Sequence, residues 1–153
     1  MDNRLITEEM RAAIGIESEP SVFEIEKEAI RRWAEAIGDN NPLYHDEEYA
    51  IHLGYRSIIA PPTFLPSYYY PLIRGNSKVT VKSPLSRGLN GGLEIERFKP
   101  LQAGDTAYVT RKLSDIYEKE GKLGRMLFLI SEIFIRDKEG NLYSKARQIG
   151  ITY

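Results

Sequence analysis

Apolar residues recur at helical spacing in the first part of the chain and alternate with polar ones from about residue 78 onward. In "KEAIRRWAEAIG", Ile30, Trp33, Ala34 and Ile37 fall at i, i+3, i+4 and i+7, one face of an amphipathic helix, and Gly38 supplies its stop. A shorter helix is predicted upstream, with Thr7 as N-cap, Glu8 and Glu9 in the first turn and Gly15 just past the end. Between the two, "PSVFEIE" puts Phe23 and Ile25 on one face at period two, which reads as an edge strand. Asp46 can cap a third, brief helix that carries Glu47 and Glu48 in its first turn, and "GYRSIIAPP" follows as a loop. The segment "PTFLPSYYYPLI" is apolar on nearly every side. It predicts a buried helix starting at Pro62, kinked or shortened by Pro66 and Pro71.

Beyond it, "KVTVK", "LEIERFKP", "TAYVTRKLSDIYEK", "RMLFLISEIFIR" and "LYSKARQIGITY" alternate as strands. The turn-rich stretches "GLNGG", "PLQAGD", "EKEGKLG" and "DKEGN" separate them, "GLNGG" reading as a flexible loop. Helices first and an antiparallel meander afterwards give an α+β architecture, a sheet packed on a buried helix. No repeat, linker or low-complexity tract interrupts the pattern, so residues 1–153 are expected to form one domain.

Composition narrows the functions open to such a fold. The 153 residues, 42% hydrophobic and 28% charged, suffice for one sizeable core. A net charge of -1 gives no broad pull toward nucleic acid or an anionic membrane. With no cysteine, thiol nucleophiles, disulfides and thiolate metal sites are excluded, and a reducing cytoplasm is the expected location. "MDNRLITEEM" lacks the basic and apolar regions of a signal peptide, and no apolar run approaches the roughly 18 residues of a membrane span. His45 and His52 are the two histidines, so a metal site would need carboxylates for most of its ligands; none is expected. No glycine-rich phosphate cradle follows a strand, which argues against a nucleotide enzyme.

The densest chemistry lies in "AIGDNNPLYHDEEYA", where Gly38, Asp39, Asn40, Asn41, Pro42 and His45 crowd together. By turn chemistry alone this is a helix C-terminus followed by an Asx-rich turn. As a site, it would project a carboxylate and an imidazole from one turn, a pair able to move protons.

Together with "GYRSIIAPPTF" and "FKPLQAGDTAYV", this stretch resembles the MaoC-like family of acyl-thioester hydratases and dehydratases, in its FAS1-like, N-terminal-half dehydratase branch. The resemblance runs from about Ser21 to Tyr153 and keeps the motifs in the family's order. It implies the hotdog fold, an antiparallel sheet wrapped round a central helix, with "PTFLPSYYYPLI" as that helix. It also implies a partner hotdog, in a homodimer or a heterodimer, and no cofactor. The implied reaction is (R)-specific addition of water to an enoyl thioester, or its removal from a 3-hydroxyacyl thioester, on coenzyme A or an acyl carrier protein. In the family's Gly-Asp-x-Asn-Pro-(apolar)-His motif the aspartate and histidine carry the protons and the asparagine supports them. Asp39, Asn41 and Pro42 match that motif directly. Asp39 and His45 are therefore the candidate acid–base pair, Asn41 the support, and Tyr44, Pro62 and Thr63 the candidate substrate contacts.

Two departures stand beside the match. His45 comes one residue after the motif's histidine, whose position Tyr44 takes. Pro62 stands where catalytic members carry a glycine whose N–H helps bind the thioester oxygen. Proline has no N–H, and loss of one such donor costs about 10²–10³ in rate. These departures support a second reading, a non-catalytic acyl-binding subunit that pairs with a catalytic hotdog; thioesterase is a third reading on the same fold. Tyr68, Tyr69 and Tyr70 are read as core or dimer interface before acyl tunnel, and His52 as structural or solvated. Gly104-Asp105 is read as a turn before a strand, and Lys78, Lys82, Arg87, Arg97 and Lys99 as scattered surface charge.

Overall fold

The computed structural model describes residues 5–68 and 81–153. In chain order it contains α1 (Glu8–Ala12), β1 (Ser21–Glu24), α2 (Lys27–Ala36), a 3₁₀ turn (Pro42–Tyr44), α3 (Glu47–His52) and a π-helical turn (Phe64–Tyr68). The strands β2 (Gly88–Arg97), β3 (Thr106–Gly121), β4 (Gly124–Arg136) and β5 (Leu142–Thr152) follow. All pair antiparallel in one sheet of order β1-β3-β4-β5-β2, with β1 on the predicted edge.

Local chemistry sets the helix ends. The Thr7 hydroxyl accepts from Met10 N–H at 3.2 Å and opens α1, and Asp46 accepts from Tyr49 N–H at 3.0 Å and opens α3. The α2 chain leaves its helix through Gly38 at φ 70°, a left-handed conformation that glycine adopts without Cβ strain.

Period-two alternation sends one face of the sheet to the core. Val109, Ile133, Ile135 and Ala146 on that face share a buried cluster with Ile30 and Ala34 of α2 and with Phe64 and Leu65. This is the hotdog arrangement, with the apolar segment after Pro61 packed against the sheet. Its helical turn begins at Phe64, two residues later than predicted from Pro62. Pro66 has no N–H for a regular ladder, which fits the widened π turn around it. Residues 69–73, with Tyr69 and Tyr70, lie outside the described residues, as does the side chain of Tyr68.

Two strand predictions are corrected. Val81 and Lys82 of "KVTVK" belong to no strand, and residues 78–80 are outside the described residues. "GLNGG" is not a loop: Gly88 to Gly92 form the start of β2 and pair with β5, with a register shift between Asn90 and Gly92. The reason is steric and lies on the other strand. A Cβ on Gly91 would meet Ile151 Cδ1 at 2.7 Å and Ile149 Cγ2 at 2.9 Å. Gly91→Ala is accordingly expected to destabilise the fold by about 1–3 kcal/mol, read as a lower urea midpoint at unchanged slope.

The β4–β5 hairpin is held by Asp137, which pairs with Lys99 Nζ at 2.6 Å and accepts from Asn141 N–H at 2.8 Å. Lys99, aided by Asn141, holds the Asp137 carboxyl down at about 2. A depressed carboxylate stabilises the fold fully above its ordinary pKa of 3.8, and that contribution fades as pH falls toward 2. Asp137→Asn should therefore lower the urea midpoint at pH 6 and converge on the wild type near pH 2.

Candidate active site

The Asp39 turn is built by backbone demands. After α2, Asp39 N–H returns to Ala34 C=O at 2.9 Å, and the Asp39 carboxylate (Oδ1) accepts from Asn41 N–H at 3.0 Å. Asn41 Oδ1 in turn accepts from Leu43 N–H at 3.1 Å and caps the 3₁₀ turn. So the Asx-rich turn expected from local chemistry is present, and it does more than reverse the chain.

The 3₁₀ turn settles where Tyr44 and His45 go. Tyr44 is buried, whereas His45 is half-buried and reaches back. His45 Nε2 lies 2.8 Å from the backbone oxygen of Asp39. A carbonyl only accepts, so Nε2 carries the proton and Nδ1 is the basic nitrogen of the neutral ring. Imidazole and aspartate thus meet through the main chain, and the carboxylate itself is bonded to Asn41 N–H. Arg31 of α2 donates to the His45 carbonyl at 3.2 Å, and Leu43 C=O accepts from Ile59 N–H at 2.9 Å, anchoring the turn on both sides. Glu47 of α3 adds a brace, pairing with Lys27 at 2.6 Å and accepting from Ser57 Oγ at 2.7 Å. Those two contacts, Lys27 first, hold its carboxyl below the usual range.

Tyr44 faces Asp39 and Asn41. Burial pushes its hydroxyl above the ordinary tyrosine pKa and the Asp39 charge adds to this, while Arg97 and a hydrogen bond with Asn41 oppose it. The hydroxyl therefore stays protonated at neutral pH and remains a donor. Asp39, Asn41, Tyr44 and His45 are brought together.

Pro62 and Thr63 form a second group. Thr63 Oγ1 accepts from Trp33 Nε1–H at 3.1 Å, which fixes it against α2. Pro62 is exposed and lines a cleft of about 20 Å³ with Pro61, Arg97, Lys99, Tyr143 and Ser144. That is room for about one water molecule. Thr63 N–H sits just before the helical turn, where backbone donors have no acceptor within the helix. Lys99 Nζ stands 4.3 Å over the Tyr143 ring, and burial, with the Asp105 and Asp137 charges, raises the Tyr143 hydroxyl to about 12.

Arg97 joins the two groups: it lines the Pro62 cleft and its charge acts on Tyr44. It is exposed, in keeping with the surface charge read from the sequence, and its nearness to the site depends on where β2 ends. Gly104-Asp105 is the predicted turn before β3; Asp105 Oδ2 accepts from Gln102 N–H at 2.9 Å and Oδ1 binds Arg56. His52 is exposed at the end of α3, apart from the site.

Among the described residues no helix is long and apolar enough to cross a membrane.

Comparison with known proteins supplies the context for this geometry. The model of the family described as "FAS1-like, dehydratase domain region" matches residues 12–144. A Thermobifida fusca protein named only as a UPF0336 protein is 36% identical over 121 residues, 74% of either chain. A probable enoyl-CoA hydratase alpha subunit of Thermomonospora curvata is 29% identical over 135 residues, covering 77% of this chain and 41% of that one. Among solved structures, the HadBC (3R-hydroxyacyl-ACP dehydratase) complex of Mycobacterium tuberculosis superposes with a TM-score of 0.74 at 22% identity, over 91% of this chain and 96% of that chain.

Proposed function

The chain belongs to the FAS1-like dehydratase domain family and has the MaoC-like hotdog fold; from that premise we propose that it is an acyl-thioester hydratase or dehydratase component of (R) stereospecificity. The observation that carries this reading is the Asp39 turn, where aspartate, asparagine, tyrosine and a histidine whose Nε2 is held by the main chain share one loop.

Hydration adds OH to C3 and H to C2 of the enoyl thioester, a redox-neutral step that needs a base and an acid close together. His45 Nδ1 and the Asp39 carboxylate are the proposed pair. One takes the water's proton as its oxygen bonds to C3, and C2 receives a proton from the pair, so the protons balance. Asn41 holds Asp39 and the 3₁₀ turn in register. Tyr44, Pro62 and Thr63 contact the substrate, with Thr63 N–H as the donor toward the thioester oxygen in place of the N–H that Pro62 lacks. The substrate is carried on coenzyme A or an acyl carrier protein, and the functional unit pairs this chain with a second hotdog, its own copy or another.

A second reading is favoured by a specific observation. Pro62 gives no N–H at the cleft, and His45 Nε2 is engaged by a main-chain carbonyl. Both fit an acyl-binding subunit whose partner does the chemistry. Purified protein mixed with crotonyl-CoA separates the two through the decay of enoyl-thioester absorbance. Turnover by this chain alone is expected for the enzyme. Turnover that arises only when a second hotdog protein is added, and survives Asp39→Asn, would assign the chemistry to the partner.

A further inference from the structure

Helix α2 is tied to more of the site than the turn at its end. Asp39 N–H returns to Ala34 C=O at 2.9 Å and Arg31 Nε donates to the His45 carbonyl at 3.2 Å, so the helix holds the Asp39 turn at two points. Between those residues in sequence, Trp33 donates its indole N–H to Thr63 Oγ1 at 3.1 Å, across 30 residues of chain. Trp33 is half-buried and packs against the main core cluster, which limits any swing of its ring.

Thr63 is a residue in which an anchor on the side chain acts on the backbone. Its Cβ carries two heavy atoms, so χ1 is restricted, and fixing Oγ1 fixes the main chain beside it. That main chain is stiff on both sides. Pro61 and Pro62 have locked φ angles, Phe64 N–H closes onto Pro61 C=O at 3.0 Å, and Thr63 C=O accepts from Ser67 N–H at 3.1 Å. Thr63 thus has its side chain and its carbonyl engaged, while its N–H makes no hydrogen bond among the described residues. One helix therefore sets both the Asp39 turn and the substrate contact assigned to Thr63, and a single side-chain bond carries the second connection.

We propose that Trp33 is a positioning residue: its indole N–H sets Thr63 against the helix that ends in the Asp39 turn, and so fixes the substrate contact relative to the acid–base pair. The proposal rests on the acyl-thioester reading above and adds a residue that acts through Thr63 rather than on the substrate. Trp33→Phe keeps an aromatic ring against the core and removes the N–H. It is expected to lower kcat for crotonyl-CoA hydration about tenfold, with KM changed by less than about twofold and circular dichroism unchanged. Thr63→Val removes the same bond from its other end while keeping the backbone N–H and the side-chain shape, and it decides the matter if Trp33→Phe fails to fold. The two losses should be equal and should not compound, so the double variant is expected to match either single one. Where turnover requires a second hotdog protein, the comparison is made in that mixture. Trp33 is also the one tryptophan of the sequence. Its indole N–H therefore gives one proton–nitrogen correlation signal, expected to shift on titration with butyryl-CoA, which has no double bond to hydrate, and to lose that shift in Thr63→Val. Undiminished kcat in Trp33→Phe, a loss carried by KM instead, or losses that multiply in the double variant would overturn the proposal. Hydration by the wild type with an indole signal that butyryl-CoA leaves unmoved would overturn it too, with the acyl-thioester reading intact; neither hydration nor a shift would sink that reading itself.

Discussion

Asp39→Asn is expected to lower kcat/KM for enoyl-thioester hydration by about 10²–10⁴, and His45→Ala by a similar factor. The aspartate variant is the sharper of the two. Asparagine keeps a side-chain oxygen where Asp39 Oδ1 accepts from Asn41 N–H at 3.0 Å, so the turn should persist while the proposed proton carrier is gone. His45→Ala removes the ring that Nε2–H fixes on the Asp39 carbonyl at 2.8 Å. Because the proposal makes the two residues one proton-transfer unit, the double variant should be little worse than either single one. Full activity in both single variants, with far-ultraviolet circular dichroism unchanged, would move the chemistry elsewhere in the chain.

Phe64→Ala carries the largest expected cost in stability, about 3–5 kcal/mol. Phe64 is 0% exposed, and its cluster joins α2, the 59–65 segment and the core face of β3 to β5. Truncation leaves a cavity where three layers meet, and Pro61 and Pro66 flank the site with backbones that resist collapse into it. The check is urea unfolding followed by tryptophan fluorescence, which Trp33 reports from the adjoining helix. A loss below about 1 kcal/mol would mean that the apolar segment does not anchor the sheet.

Much of this fold is legible because its determinants are local. Thr7, Asp46 and Gly38 mark helix ends through bonds and dihedrals within a few residues of themselves. The alternation in β3 to β5 is long enough to specify both a strand and its buried face. What escaped depends on partners distant in sequence. Gly88 to Gly92 look like a loop until Ile149 and Ile151 of β5 are beside them, when the missing side chain at Gly91 becomes a steric requirement. The candidate site divides in the same way. Its residue types are plain in "GDNNPLYH", but the directions of Tyr44 and His45 follow from the 3₁₀ turn. In an extended segment the late histidine would face away from the motif's position; here its ring returns to the Asp39 carbonyl while Tyr44 turns inward. The exposed Arg97 borders the Pro62 cleft and acts on Tyr44 only because β2 ends beside them.

The central claim is that this turn moves protons between water and C2 of an acyl thioester. Incubating the protein with crotonyl-CoA in deuterium oxide and analysing the product by mass and chiral chromatography tests it most directly. The expected product is (R)-3-hydroxybutyryl-CoA with one solvent deuterium at C2, formed by the wild type and lost in Asp39→Asn. Unchanged crotonyl-CoA, or hydrolysis to crotonate and thiol with no deuterium on carbon, would contradict it.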